Sequence, residues 1–353
     1  MEQVIILGGG VAGMQTAIAL SDLGIKSVLV EKEQELGGKV KNYDKTFPFF
    51  RSGKALVREL EERINTSSLI EVRTGTEVSS VTGTAPNFQV RLTSLNQRVP
   101  AGAIVIATGF EHFDASLQEE YGYGVYPNVI TASDMERLLD FEGPTRGELE
   151  RPSDGKIARR IAIIFCVGSR SEKLGHNYCS RICCSFSTKQ AIEIKERYPD
   201  AKVMCFYLDI RTYGRGFEEM YRRAQELGIN YIRGRVAECG LLPNGDITIK
   251  AEDTLLGKPV RGTFDLVSLS TGMTPCPDTP KIANMLGIKL AEDGFFDCND
   301  SDLLPNDATR EGIFLAGSAI GMKPIPDCIS DGNIAAARAA AFLRKKVIPQ
   351  GFY

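Results

Sequence analysis

Nine cysteines occur in 353 residues, and four of them, Cys166, Cys179, Cys183 and Cys184, fall close together with the spacing C-x12-C-x3-C-C. Four thiolates so placed suit a [4Fe–4S] cluster or a zinc ion. The adjacent Cys183 and Cys184 do not match common zinc-finger spacings, which favours iron and sulfur. Two other chemistries use the same residues. Some of these cysteines can serve as small buried hydrophobes, or Cys183 and Cys184 can form a redox-active vicinal disulfide, a strained linkage. Cys179 and Cys183 are four apart and share a face if their segment is helical. A following helix would then turn its N-terminus toward the site and favour its negative charge, with Arg170 and Arg181 adding to the effect. Only two histidines are present, His112 and His176, so a histidine-rich metal site is excluded by inventory.

A second constellation lies at the N-terminus. Gly8-Gly9-Gly10-Val11-Ala12-Gly13 places glycines at the three positions of G-x-G-x-x-G. The first permits a tight turn, the second lets backbone approach a pyrophosphate, and the third lets helix pack on strand. The run Val4–Leu7 precedes it. A helical stretch, Met14–Leu23, follows and stops near Gly24. The run Ser27–Val30 then ends in Glu31, where a carboxylate meets a ribose hydroxyl pair. A glycine-rich turn without ligand is the bland alternative, but strand, turn, helix, strand and acid agree on a dinucleotide. The motif alone does not separate FAD from NAD.

These two groups need elements to carry them. Residues 76–108 read as β-rich, with Phe88–Leu92 alternating and Ala103–Ala107 a buried strand ending in Thr108-Gly109. Residues 140–160 are polar and hold Gly143, Pro144, Gly147, Pro152 and Gly155, which reads as a linker. The alternation then resumes. Strands are expected at Arg160–Phe165, Lys202–Tyr207, Asn230–Arg233, Asp265–Leu269 and Gly312–Leu315. Helices are expected at Ser185–Arg197, Phe217–Leu227 and Asn333 to about Lys346. Where a second glycine fingerprint would open the second half, Ile161–Phe165 runs into Cys166-Val167-Gly168-Ser169-Arg170, so no nicotinamide fingerprint is present.

The length predicts two domains. Hydrophobic residues make up 43% and charged residues 25%, the formal net charge is −3, and 35 glycines are present. This is a globular composition without the basic footprint of a nucleic-acid or membrane-surface protein. No apolar stretch of about 18 residues predicts a membrane span. The start Met1-Glu2-Gln3 lacks the basic residues of a signal peptide. A cytoplasmic location is expected, where disulfides are rare.

Several segments resemble the flavoproteins with two dinucleotide-binding domains, of the glutathione- and thioredoxin-reductase type. They are Leu36-Gly37-Gly38-Lys39, Gly75-Thr76-Glu77-Val78, Ala107-Thr108-Gly109 and Ile313-Phe314-Leu315-Ala316-Gly317. The resemblance implies an α/β fold with two Rossmann-like domains and a discontinuous FAD domain, 1–145 and 275–353, enclosing a second domain at 146–274. It implies FAD contacts from Gly8, Gly10, Val11, Ala12, Gly13, Glu31, Lys32, Gly38, Lys39, Val78, Ala107, Thr108, Gly109, Gly317, Ser318 and Ile325. That family carries Gly-Asp after its last strand, whereas this chain has Gly317-Ser318. The remaining cysteines, Cys205, Cys239, Cys276, Cys298 and Cys328, read as core or unpaired surface residues; Cys276 and Cys328 lie near the flavin segments, where a redox role is the alternative.

A narrower resemblance rests on Arg151-Pro152-Ser153-Asp154-Gly155-Lys156, Cys166–Arg170, Tyr178–Arg181, Cys183-Cys184, Leu208–Arg211 through Gly214, Ile232–Arg235 and Lys323-Pro324-Ile325-Pro326-Asp327. These resemble the flavin-bearing, A-type component of heterodisulfide reductase. The resemblance implies an oxidoreductase component that works within a complex, with a [4Fe–4S] cluster on Cys166, Cys179, Cys183 and Cys184 beside FAD, and Lys323 as a cation near the isoalloxazine. It implies B- and C-like iron–sulfur partners, a lipoate-binding protein reached through the complex, and a homodimer. No C-x2-C-x2-C run for ferredoxin-type clusters is present, and Phe49-Phe50-Arg51-Ser52 stands where the family often has further cysteines. The short form resembles components of bacterial sulfur-oxidising complexes, ahead of the quinone-interacting complexes of sulfate reducers. The competing expectations are an NAD(P)H-dependent disulfide reductase using Cys183 and Cys184, and a non-catalytic flavin-bearing scaffold.

Overall fold

The computed structural model describes residues 3–94 and 98–347; Met1 and Glu2, on which the reading of the chain start rests, lie outside them. The chain divides into two compact units. One comprises Met1–Lys41, Lys54–Glu111 and Thr274–Tyr353; the other comprises Asn42–Gly53 and His112–Met273.

The first unit is built on a seven-stranded sheet in the spatial order Cys298–Asp300, Leu304–Ala308, Ile313–Leu315, Ala103–Ile106, Gln3–Leu7, Lys26–Val30, Ile70–Arg73. The inner strands are parallel, with Ile5 opposite both Val28 and Ile104. A parallel strand covered on both faces must be apolar throughout, which is why Val4, Ile5 and Ile6 form an unbroken buried run. Helix Val11–Asp22 follows the first strand, and helix Ile325–Val347 lies against it. There Gln15 Nε2 donates to Asn333 Oδ1 at 2.7 Å. A side chain at Gly332 would come within 2.7 Å of the Ala12 carbonyl, so only glycine admits this approach. The C-terminal helix begins at Ile325 rather than at Asn333, because Pro326 is tolerated in a first turn, where no intrahelical N–H bond is lost. Strand Ile313–Leu315 pairs parallel with Ala103–Ile106, so the C-terminal segment returns to the N-terminal sheet.

The second unit centres on a five-stranded parallel sheet in the order Asn230–Arg233, Lys202–Tyr207, Arg160–Val167, Leu266–Thr271, Val129–Thr131. Residues 112–145 pack here rather than with the first unit, because Val129–Thr131 is an edge strand of this sheet, Ile130 opposite Ser268. The stretch read as a linker at 140–160 is an anchored part of the same unit. Glu150 bridges Ile157, Leu149 and Ala158 are fully buried, and Arg151 pairs with Asp246 at 2.9 Å.

One polar cluster in this core carried no periodic signal. Lys189, on helix Cys183–Arg197, is fully buried and donates to both carboxylate oxygens of Glu136 at 2.7 and 2.5 Å, on helix Ala132–Leu139. Glu193 lies 3.1 Å from the same ammonium. Burial pushes the lysine down, yet the two carboxylates outweigh it and raise it above its ordinary value. Among the described residues no helix is long and apolar enough to cross a membrane.

Candidate functional site

The glycine loop of the first unit forms a cradle with a defined gap. Gly8 sits at φ +107, and its N–H donates to the Val30 carbonyl at 2.8 Å. A Cβ on Gly8 would overlap the Ala107 carbonyl oxygen, and one on Gly13 would overlap the Gly8 carbonyl oxygen. A Cβ on Gly10 would meet nothing within 4 Å. Gly10 is also the N-cap of helix Val11–Asp22, with no side-chain cap and no acid in the first turn. Two glycines are therefore spent on packing, and the middle one faces open space at an uncapped helix start, the arrangement that receives a pyrophosphate.

The Glu31 carboxylate is buried and accepts the N–H groups of Gly9 at 2.6 Å and Glu33 at 2.9 Å. It lines a cavity of about 100 Å³ together with Gly8, Val78, Thr108, Cys276 and Lys281. The Thr108 hydroxyl is buried with no hydrogen-bond partner among the described residues. A carboxylate, an orphaned hydroxyl and an apolar wall at Val78 fit the adenosine half of a dinucleotide. Gly38, at φ +54, brings its own loop up against Gly10, where a Cβ would stand 3.1 Å from the Gly10 Cα.

The structure thus gathers Gly8, Gly10, Val11, Ala12, Gly13, Glu31, Gly38, Val78, Ala107 and Thr108 around one strand end and one helix start; Gly109, at φ +74, follows at the turn out of that strand. Lys32 is drawn to Asp278 at 3.7 Å, and Lys39 to Glu111 at 2.6 Å. Asp278 and Lys281 belong to a segment whose only sequence cue was its nearness to Cys276, whose Sγ donates to the Thr108 carbonyl at 3.3 Å.

Gly317, at φ +66, comes against the same helix start, where a Cβ would lie 2.7 Å from that of Ala12. Ser318 does not replace the missing aspartate; its hydroxyl pairs with the Cys328 thiol at 3.3 Å. A carboxylate arrives from elsewhere. Asp331, on the helix that Ile325 opens, accepts the Gly317 N–H at 3.1 Å and pairs with Lys323 Nζ at 2.5 Å. Fourteen residues separate Asp331 from Gly317, so no local motif could reveal it.

In the second unit the equivalent crossover is built differently. Strand Arg160–Val167 carries Cys166 near its end at φ +60, and helix Cys183–Arg197 opens with Cys183 and Cys184. Between them runs a long loop rather than a glycine turn. Cys179 is in that loop, so it does not share a helical face with Cys183. The loop is pinned on both sides of Cys179: Tyr178 OH donates to the Met273 carbonyl at 3.1 Å, and Ser180 Oγ accepts the Met273 N–H at 3.0 Å. Arg170 and Arg181 also have positive φ, at +54 and +57. Non-glycine residues in this region store strain, which the surrounding bonds must maintain and which concentrates at functional sites.

Cys166, Cys183 and Cys184 are buried and Cys179 is half-buried, all as free thiols. Cys166 Sγ lies 4.0 Å from Cys183 Sγ, and Cys184 Sγ donates to the Asp209 carbonyl at 3.4 Å. The Cys183 thiol beside it, and then Arg170 and Arg235, hold Cys166 below the ordinary thiol range against its burial. Arg170 in turn pairs with Asp209 at 2.7 Å. Among the described residues no set of three or more histidine, cysteine or acidic side chains closes around a single ion. The 4.0 Å between the Cys166 and Cys183 sulfurs is close to the roughly 3.8 Å separation of two thiolates on one zinc ion. The four cysteines are offered by a strand end, a loop and the uncapped start of a helix. The helix dipole and arginines supply the positive field that thiolates require.

Known proteins share this architecture. A family model for pyridine nucleotide-disulphide oxidoreductases matches residues 2–164. Thioredoxin reductase of T. acidophilum superposes with a TM-score of 0.65 over 97% of this chain and 99% of its own, at 18% identity; that of Lactococcus lactis gives 0.65 over 98% and 100%, also at 18%. The fold is therefore that of the reductases with two Rossmann-like domains. Among curated sequences, the A-type iron-sulfur component of the CoB–CoM heterodisulfide reductase of Methanocaldococcus jannaschii is 37% identical over 95% of this chain. The A-type component of the H(2):CoB-CoM heterodisulfide,ferredoxin reductase of Methanothermobacter thermautotrophicus is 34% identical over 96%. Over nearly its whole length the chain is similar to the A-type components of heterodisulfide reductase. It spans 63% of the length of these two relatives.

Proposed function

We propose that this chain is an electron-transfer component of a heterodisulfide-reductase-like complex, holding FAD in its first unit and a [4Fe–4S] cluster on Cys166, Cys179, Cys183 and Cys184 in its second. The observation that carries the reading is the substitution of one crossover for another. The first unit keeps a glycine cradle with room at Gly10, while the second places cysteines at the strand end and helix start where a second dinucleotide would lie. When bound, FAD exchanges electrons in pairs and the cluster singly. The chain's own residues bind and orient. Glu31 holds the loop at Gly9 and Glu33, Asp331 fixes Gly317, and Lys323 brings a positive charge beside that carboxylate as the candidate cation near the ring.

The reading extends to context. The complex acts in cytoplasmic sulfur metabolism, in the sulfur-oxidising direction, as a homodimer with B- and C-like iron–sulfur proteins and a lipoate-binding protein among its partners. Phe49-Phe50-Arg51-Ser52, where the family often has further cysteines, supports this form over one that carries additional clusters in the same segment.

The family match over 2–164 also favours a second reading, an NAD(P)H-dependent disulfide reductase using Cys183 and Cys184. Anaerobic mixing with NADH and NADPH separates the two. The first reading expects the released flavin to be FAD and its absorbance to persist through the mixing. Stoichiometric bleaching within seconds would reverse the choice.

A further inference from the structure

The polar cluster buried in the second unit has no part in holding flavin, yet it shares a helix with two of the four cysteines. Cys183 and Cys184 open helix Cys183–Arg197, and Lys189, Gln190 and Glu193 follow on it, all buried. Helix Ala132–Leu139 brings Glu136 to the same place. A third element is the hairpin at 42–53, in which Lys45 bridges Ser52 and the Thr46 N–H donates to the Arg51 carbonyl at 2.7 Å. It adds Asp44 and Lys45.

The charges gathered there do not balance. Glu136 takes Lys189 with both carboxylate oxygens, at 2.7 and 2.5 Å, and also accepts Gln190 Nε2 at 2.8 Å. Glu193 is left with the same ammonium at 3.1 Å and with Lys45, whose side chain is 36% exposed, at 3.4 Å. Two lysines thus face three acids, Asp44, Glu136 and Glu193, and Asp140 adds its charge beside Asp44. Two acceptors, Asp44 Oδ2 and the fully buried Gln190 Oε1, have no hydrogen-bond partner among the described residues. Buried acceptors require donors. A proton on one carboxylate supplies a donor and removes the excess charge at once. Burial raises Glu193 above its ordinary value against the pull of Lys189. Burial, and then Asp140, raise Asp44 in the same way.

Glu193 stands nine positions after Cys184 on one helix, a rise of about 13 Å. One added negative charge at that distance, at an effective dielectric constant of about 20, raises the proton affinity of a carboxylate roughly tenfold. We propose that Glu193 is a proton acceptor coupled to the cysteines: when the group they hold gains one electron, Glu193 takes one proton from water through the side of the cluster that Lys45 leaves open. The inference rests on the cluster reading above. The electron comes from reduced flavin or another one-electron donor, which is oxidised. A hydronium ion of the solvent becomes water, and one carboxyl O–H bond forms.

An EPR-monitored reductive titration of the anaerobically reconstituted, flavin-loaded chain, repeated between about pH 5 and pH 8, tests it. The cluster potential is expected to be highest at the acid end, to fall as pH rises, and to level off where Glu193 stays ionised in both redox states. The whole fall corresponds to a roughly tenfold change in proton affinity. Glu193→Gln cannot take the proton. Its cluster potential is expected to be flat across the same range, with iron content, thermal midpoint and the flavin's own pH dependence those of the parent. Glu193→Asp keeps an acid and is expected to restore the slope. In infrared spectra, reduction of the parent is expected to add the C=O stretch of a protonated carboxyl, and reduction of Glu193→Gln is not. A flat potential in the parent, an unchanged slope in Glu193→Gln, or no carboxyl band on reduction would overturn the proposal. The two readings fail differently. An iron-loaded chain that is reduced without taking a proton sinks the coupling alone, whereas an iron-free chain sinks the cluster and the coupling with it.

Discussion

Gly10 and Gly13 are the same residue type doing different work, and substitution separates them. Gly13→Ala forces a methyl into the Gly8 carbonyl, so it is expected to cost about 2 kcal/mol or more, read as a lower midpoint in denaturant unfolding. Gly10→Ala meets no protein atom, and Gly10 has φ −73 and ψ 178, which alanine adopts freely. It is expected to unfold within about 0.5 kcal/mol of the parent but to lose flavin, because the methyl fills the gap left for the pyrophosphate. Asp331→Ala releases both Gly317 and Lys323. A flavin titration of the stripped chain is expected to show roughly tenfold weaker binding, about 1.4 kcal/mol, in line with the loss of one charge-assisted hydrogen bond. The packing roles of Gly8 and Gly13 were legible in the sequence because spacing alone defines them. Asp331 was not, since it faces Gly317 only after the last strand and the last helix have packed.

Among the elements, helix Cys183–Arg197 joins two functions. Its first two residues are cysteines, and its middle carries Lys189 into the core against Glu136 of helix Ala132–Leu139. Replacing Lys189 by Met strands the buried Glu136 carboxylate without a counter-charge and leaves Glu193 with Lys45 alone, at 3.4 Å. The expected loss is about 3–5 kcal/mol of unfolding free energy at pH 7. Its pH dependence has a definite sign. The lysine's folded value is raised above its ordinary 10.5. Its contribution is therefore complete below that pH and is lost as pH climbs through the raised value. Parent and Lys189→Met unfolding free energies are expected to differ by a constant amount from about pH 7 to about pH 10 and to converge above that. The strand and helix order could be read from periodicity. Lys189 could not, because a charged residue in a helix reads as a solvated face until its partners from 53 residues away are seen. The assignment of 140–160 as a linker failed similarly: proline and glycine mark turns, and turns occur inside a domain as well as between domains.

For the whole molecule, the decisive feature was a missing motif. Two Rossmann-like units follow from the repeated strand–helix alternation. That the second lacks a glycine cradle follows from Cys166-Val167-Gly168-Ser169-Arg170 standing in its place. The extent of each unit was less legible, because Val129–Thr131 joins the second unit by long-range strand pairing and residues 42–53 by packing Tyr43 and Phe47 on Phe186, and neither leaves a local trace. The claim that cysteines hold a cluster there is tested most directly by iron and acid-labile sulfide analysis with EPR. The measurements compare the anaerobically reconstituted chain with its Cys179→Ser variant. The account expects about four irons and four sulfides per chain, a paramagnetic signal on reduction, and loss of that signal in the variant with flavin retained. One iron or fewer per parent chain after reconstitution, or a variant indistinguishable from the parent, would contradict it.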